Sequence, residues 1–564
     1  MTIATRLATI LLLLVVIACA APVQPQATSV DSPSSAGSPS QPKRLTIAIK
    51  SVPAYISDKV FAGAGGYPGV DLVEDLLNSG LTLLDHQGIR RPQLAESVPT
   101  IENGQWRVAA DGRMETTSRL RDGILWHDGT PFTAQDLVFT ATIEQDRDLA
   151  IPPSVASSYQ GVDAVEAPDP RTVVVKWKRP YIFADDMFNF PVPRHLVEQA
   201  YREDKSRLPE LSYWRDAFVG TGPFRLQRFV IDSHLVLEAN DRYIQGRPKI
   251  DEITVRFISD SNTLGANILA GEVEMSMGRG LSFSEGLQIR DQWRGGKMEI
   301  AVEAWYAMFV QWIDPTPTLL ADVRFRRALL HGLDRQQMAD VLQGGLVPVA
   351  HSFVGSWEPE YKDVESSIIR YDYDPRRATQ MIEELGYSKG ADGFFRDRAG
   401  QPLALEVRAA NEPEIDVNSN LTVRDAWRAL GVAAESELYS RQLSRDLEYR
   451  ATFPAFQLQR QPNRLDTLIR FQSAQVPLAE NNWRGENKGR YTNPEMDALV
   501  DRFYTTIPRQ ERNQLLAQIT RHMTERLNVL GLFNDGIPVM VGNHLRNIYA
   551  VNQTWNATEW DRAG

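Results

Sequence analysis

The chain is 564 residues long, 43% hydrophobic, 24% charged and 9% aromatic, with a net charge of −11 and a sequence pI near 5.4. This length and balance imply a large folded protein of about two to four structural units. They exclude the basic surface that neutralises phosphates, so nucleic acid is not the expected partner.

Near the N-terminus, Arg6 precedes an apolar run from Ile10 to Ile17. The run is too short for a bilayer-spanning helix of about 20 residues, so residues 1–18 read as a signal peptide. The sequence Val16-Ile17-Ala18-Cys19 resembles the lipobox of bacterial lipoproteins. It makes Cys19 the expected lipidation site and places the protein outside the cytoplasm, anchored to the cell membrane. Cys19 is also the only cysteine, so no intramolecular disulfide can form. Residues 19–43, rich in Pro, Ser, Ala and Gln, have almost no bulky side chain from which to build a core and read as a disordered tether.

Folded sequence begins near Arg44, where Leu45 to Ile49 alternates like a strand with one buried face. Further strands are expected at Thr172 to Trp177, His234 to Glu238 and Ile253 to Ile258, interspersed with capped helices, so the fold class is mixed α/β. No repeat of solenoid or propeller length is visible. Asp322, Asp334, Asp374 and Asn493 each stand where a helix N-cap is needed. Two of them precede a proline at the first helical position, and Gly344-Gly345 and Gly386 close helices.

The stretch Leu125-Trp-His-Asp-Gly-Thr-Pro-Phe-Thr-Ala-Gln-Asp136 sets a histidine beside an aspartate, but each polar residue has a structural use. A strand from Leu120 to Trp126 is expected to enter the loop at His127, and Asp128-Gly129 suits a tight turn. Thr133 stands three residues before Asp136, the spacing of a reciprocal cap, ahead of the helix face Leu137, Val138, Phe139 and Ile143.

Catalytic patterns are missing: no H-E-x-x-H helix, no G-x-S-x-G elbow and no P-loop. Gly280-Leu-Ser-Phe-Ser-Glu-Gly286 comes near the elbow but misses its spacing. The eight histidines form no i, i+3 or i, i+4 pair, so neither a metal nor another cofactor is expected. The neighbouring carboxylates Asp185 and Asp186 read as a solvated surface face rather than a glycosidase pair.

The phrase Leu120-Arg-Asp-Gly-Ile-Leu-Trp-His-Asp-Gly-Thr-Pro-Phe-Thr-Ala-Gln-Asp136 resembles the signature of the peptide-type solute-binding proteins of ABC importers, bacterial family 5. Other landmarks follow in that family's order: Leu94-Ala-Glu-Ser97, Gly220-Thr-Gly-Pro-Phe224, Asp322-Val-Arg-Phe-Arg-Arg-Ala328 leading to Leu333-Asp-Arg335, Tyr373-Asp-Pro375 and Tyr491-Thr-Asn-Pro-Glu-Met-Asp497. The resemblance covers nearly everything after the tether. It implies a two-lobed, periplasmic-binding-protein-like fold of type II, the three-domain peptide-binding type, with a hinge and an interlobe cleft. Domain I would comprise residues 44–85, 211–303 and 527–564, domain II residues 86–210 and domain III residues 304–526. It further implies a monomeric binding protein, not an enzyme, that passes an oligopeptide or related solute to a membrane permease driven by a cytoplasmic ATPase. A non-peptide ligand such as an oligosaccharide or an anionic solute is the alternative, and a secreted hydrolase on the same scaffold is the reading from another class.

In peptide-binding relatives an aspartate of the third domain pairs with the ligand's α-amino group. Here that place holds Gln459 or Arg460, which cannot make the charge-assisted bond to an ammonium, so an ordinary free N-terminus is disfavoured. Asp466 takes the role if the loop is shifted, and Arg460 alternatively pairs with Asp466 or another carboxylate. The same correspondence brings Asn78 and Ser79 of the first domain to the ligand. It adds the aromatics Trp305, Tyr306, Trp312, Trp357 and Trp483, which either stack on ligand or pack core and hinge.

Overall fold

The computed structural model describes residues 41–57, 68–149, 151, 155, 158–159 and 161–563. The expected signal peptide, the lipidation site Cys19 and most of the tether lie outside these residues. No helix among the described residues is long and apolar enough to cross a membrane.

A ten-stranded sheet runs through the molecule in the order Ala433–Tyr439, Ala404–Ala410, Phe456–Pro462, Gly296–Val310, Val529–Gly542, Met275–Ser276, Arg44–Ile49, Glu252–Phe257, His234–Ala239 and Phe224–Val230. Arg44–Ile49 pairs in parallel with strands on both sides. That central position explains why Ala48 is as buried as Ile47 and Ile49, where the sequence alternation predicts a single buried face. A separate four-stranded antiparallel sheet orders Trp106–Val108, Met114–Arg119, Thr172–Trp177 and Val162–Asp169.

Two long antiparallel strands, Gly296–Val310 and Val529–Gly542, join the lobes. The first half of one and the last half of the other belong to the lobe whose core gathers Leu45, Ile47, Leu237, Val255, Val539 and Trp560. Their other halves are covered on both faces, and that of Gly296–Val310 borders Phe456–Pro462. Tyr306, Phe325, Trp427 and Phe533 pack one face, and Trp305, Phe353, Phe471 and Met496 the other. The register breaks between Val302 and Ala304, leaving Glu303 as an extra residue where the strands cross from one lobe to the other.

The expected caps are present. Side-chain oxygens of Asp322, Asp334, Asp374 and Asn493 accept backbone N–H groups of Arg324, Gln337, Arg377 and Met496 at 2.8, 2.9, 2.9 and 2.9 Å. Asp136 accepts the Thr133 N–H at 2.9 Å at the start of the helix Ala134–Glu144. The strand expected from Leu120 to Trp126 does not form. Pairing stops at Arg119, because a turn at Asp122-Gly123, with Gly123 at φ 77°, breaks the extended chain into isolated bridges at Leu120 and Leu125.

Candidate ligand cleft

His127, singled out by its neighbour Asp128, is a buried structural clamp. Its Nδ1 accepts the Gly220 N–H at 3.1 Å, which fixes the proton on Nε2, and that group donates to Gly222 O at 3.1 Å. Burial pulls its pKa down to about 4. Gly220-Thr221-Gly222 then meets Asn78 and Ser79. Asn78 Oδ1 accepts from Thr221 N and Oγ1 at 3.1 and 2.8 Å, and its Nδ2 donates to Pro191 O at 2.9 Å. Ser79 donates its N–H to Thr221 Oγ1, and its hydroxyl meets Tyr243 OH and Gln93 Nε2 at 3.0 and 2.9 Å. Both residues are fully buried, with their polar groups engaged inside this junction.

Trp305 and Tyr306 are neighbours on the crossing strand and therefore point to opposite faces of the sheet. Tyr306 lies across from Arg460 and Phe533, and its hydroxyl donates to Asp416 Oδ1 at 2.9 Å. Arg460 donates to Asp535 Oδ2 at 2.5 Å, so its charge is met by a carboxylate of the chain, which is the alternative expected from sequence, with Asp535 in place of Asp466. Burial raises the Asp416 carboxyl to about 7, and Asp535 adds to the rise while Tyr306 and Arg460 oppose it. On the opposite face Trp305 lies across from Gln461, and Gln461 Nε2 donates to Gln459 Oε1 at 3.0 Å. The structure thus gathers Tyr306 with Arg460, and Trp305 with Gln459, on two faces of one sheet.

Asp466 sits in a short turn and pairs with Arg464 at 2.8 Å, and the same guanidinium stands 3.9 Å from Asp186. Asp185 and Asp186 are half-buried against Arg90, at 3.4 and 2.8 Å, which corrects the solvated face read from sequence. Nearby, Ile182 N–H donates to Tyr504 O at 3.0 Å and the Tyr181 ring stacks over Tyr504, so the segment leaving the four-stranded sheet is fastened to the other lobe. Trp357 packs against Gly355 and bonds to Glu358, whose burial lifts its carboxyl to about 7. Trp312 lies between Tyr491 and the Arg326 guanidinium, and Trp483 faces Arg490, both half-buried. Ser282, in the near-elbow, is a helix cap: it exchanges bonds with Glu285 at 2.7 and 3.3 Å.

Sequence reasoning missed Asp535, Asp416, Gln461 and Arg470. For one of them a signal was present: Gln457, Gln459 and Gln461 alternate with Phe456, Leu458 and Arg460, the period of a strand with a polar face.

The family model described as bacterial extracellular solute-binding proteins, family 5, middle region, matches residues 90–475. The chain belongs to this family. It is a solute-binding protein and not an enzyme. The oligopeptide-binding protein AppA of Bacillus subtilis is 22% identical over 505 residues, covering 86% of this chain and 87% of that protein. The structure of AppA in complex with a nonapeptide shares the fold at a TM-score of 0.70 and 20% identity, over 93% of this chain and all of the other. NikA from Brucella suis in complex with Fe(III)-EDTA gives 0.76 at 18% identity, over 92% and 100%. Membership of this family places the protein outside the cytoplasm.

Proposed function

We propose that this family-5 protein captures an oligopeptide or related small solute between its lobes and delivers it to the membrane permease of an ABC importer. The observation that supports this most directly is the pair of crossing strands, with the Glu303 bulge at the crossing and ties such as Ile182 to Tyr504 closing the lobes on each other. Such a joint lets a solute that touches both lobes shift the population toward closure. Asn78, Ser79, Trp305, Tyr306, Trp312, Trp357, Gln459, Arg460, Asp466 and Trp483 remain the proposed binding set. Within it Gln459, Trp305 and Trp312 each carry a buried N–H without a partner in the protein. Cys19 is the proposed lipid anchor, holding a monomeric receptor on the outer face of the membrane.

A non-peptide solute is the second reading. Relatives of the same fold hold a nonapeptide in one case and Fe(III)-EDTA in another, so the fold leaves the solute open. The test is to purify the protein, release any bound solute by denaturation and identify it by mass spectrometry, alongside melting with peptide and oligosaccharide panels. A solute at 100 times its Kd raises stability by about 2.7 kcal/mol, well within reach of a melting curve. A protein that releases nothing and melts unchanged with every panel would falsify the reading, and a Cys19→Ala variant that still takes up labelled fatty acid removes the anchor.

A further inference from the structure

Gln459, Gln461, Trp305 and Arg470 are 8%, 9%, 2% and 8% exposed, so an unmet polar group on any of them is costly. Arg470, in the turn Leu465–Phe471, reaches back to the strand Phe456–Pro462 and donates from Nη1 to Gln461 Oε1 at 2.5 Å and to Pro462 O at 3.2 Å. A guanidinium only donates. The Gln461 oxygen must therefore face Arg470, its nitrogen must donate to Gln459 Oε1, and the relay ends on Gln459 Nε2 as a free donor. That nitrogen has no partner, and neither has Arg470 Nε nor Trp305 Nε1.

Among the described residues no carboxylate touches the Arg470 guanidinium, whereas Arg460 has Asp535. Glu486 and Asp466 act on Arg470 only from a distance. Arg335, equally buried, gives its protons to the main-chain carbonyls of Gly531 and Tyr371 at 2.9 and 2.7 Å. Lys488 adds a second, half-buried cation near Arg470, with Glu486 at 3.5 Å from its ammonium. A cation held out of water with no carboxylate in contact, at the head of a relay whose last member offers an unused N–H, is built to meet an anion.

Resting on the solute-binding reading above, we infer that Arg470, Gln461 and Gln459 form a subsite for a carboxylate of the captured solute. Arg470 supplies the charge and Gln459 Nε2 the terminal donor, with the Trp305 indole N–H on the same face. Two acceptors are also free on this face, Gln457 Oε1 and Asn534 Oδ1, and they suit an N–H or O–H elsewhere on the same solute.

The test compares a tripeptide library bearing free C-terminal carboxylates with the same library as carboxamides, by melting and calorimetric titration of the full chain. The free acids are expected to bind about tenfold or more tightly, as for a hydrogen bond to a charged group. Arg470→Gln should erase that preference while leaving carboxamide binding in place. If Arg470→Gln fails to melt cooperatively, Gln459→Glu makes the same comparison, since it keeps the side chain's size and turns the free donor into a repelling carboxylate. A preference that survives in the cooperative variant, or a wild type indifferent to the carboxylate, overturns the inference. Binding of neither library counts against the peptide part of the proposed function. Galacturonate oligomers against galactose oligomers then make the comparison, and indifference there overturns the subsite as well.

Discussion

Arg460 Nε and Asp535 Oδ2 meet at 2.5 Å across the strand Gly296–Val310, which lies between their own two strands. Both side chains are largely buried, 22% and 11% exposed, so removing one partner strands a charge. Arg460→Met leaves Asp535 unpaired near Asp416, and the expected loss is about 3 kcal/mol, read as a lower urea midpoint at unchanged slope. Adding Asp535→Leu should restore most of it. An Arg460→Met protein of wild-type stability that no longer binds solute would show that the arginine serves the ligand rather than the sheet.

His127 makes a pH prediction. Its pKa falls from an ordinary 6.5 to about 4 in the folded protein, so between those values the unfolded chain holds a proton that the folded chain refuses. The sign follows: its contribution is complete above the unfolded value and is lost as pH falls through the window, by roughly 3 kcal/mol in all. His127→Asn should therefore melt lower at pH 7 yet lose less stability on acidification to pH 4 than the wild type, and its affinity for solute should stay close to normal. A variant that folds and melts like the wild type but has lost binding would return His127 to the site.

Local features were legible in sequence and distant ones were not. The caps at Asp322, Asp334, Asp374 and Asn493 are set by side chains two or three residues from the groups they satisfy, so spacing alone gave them away. Arg460 and Asp535 are 75 residues apart and two strands apart in the sheet, a juxtaposition that no local pattern encodes. Asp185 and Asp186 show the opposite failure: adjacent carboxylates look solvated in a sequence, but Arg90, from a different segment, draws them inward. Family order brought Asn78 and Ser79 forward as ligand contacts, whereas the bonds that tie them to the Thr221 junction needed the fold.

Glu358 and Asp185 pull stability the other way from His127. Burial raises them to about 7 and about 6, above their unfolded values, so the folded protein prefers their protonated forms. That contribution is full below the unfolded carboxylate range and is lost as pH rises through the folded values. Glu358→Gln should gain stability relative to wild type as pH goes from 5 to 8, with Asp185→Asn following the same course at slightly lower pH. Parallel melting curves across that range would show that Glu358 is hydrated and outside the closed region.

Gly220 and Gly129 separate two reasons for glycine. A Cβ on Gly220 would lie 2.0 Å from Leu77 O and 2.9 Å from Leu77 C, so main chain must move, and the loop that moves is the one holding His127, Asn78 and Ser79. Gly129 is at φ 92°, but its nearest neighbour is the tip of the Arg242 side chain at 3.3 Å, which can swing away. Gly129→Ala therefore costs only the left-handed backbone penalty, about 1 to 2 kcal/mol. Gly220→Ala carries overpacking against rigid main chain, about 3 kcal/mol, together with a weakened bond to His127 Nδ1. Urea unfolding should rank the two variants in that order, and His127→Asn added to Gly220→Ala should cost less than the sum of the separate losses, because both changes release the same contact. Strict additivity would mean that the Gly220 loop is held by Leu77 alone and that the clamp carries no weight.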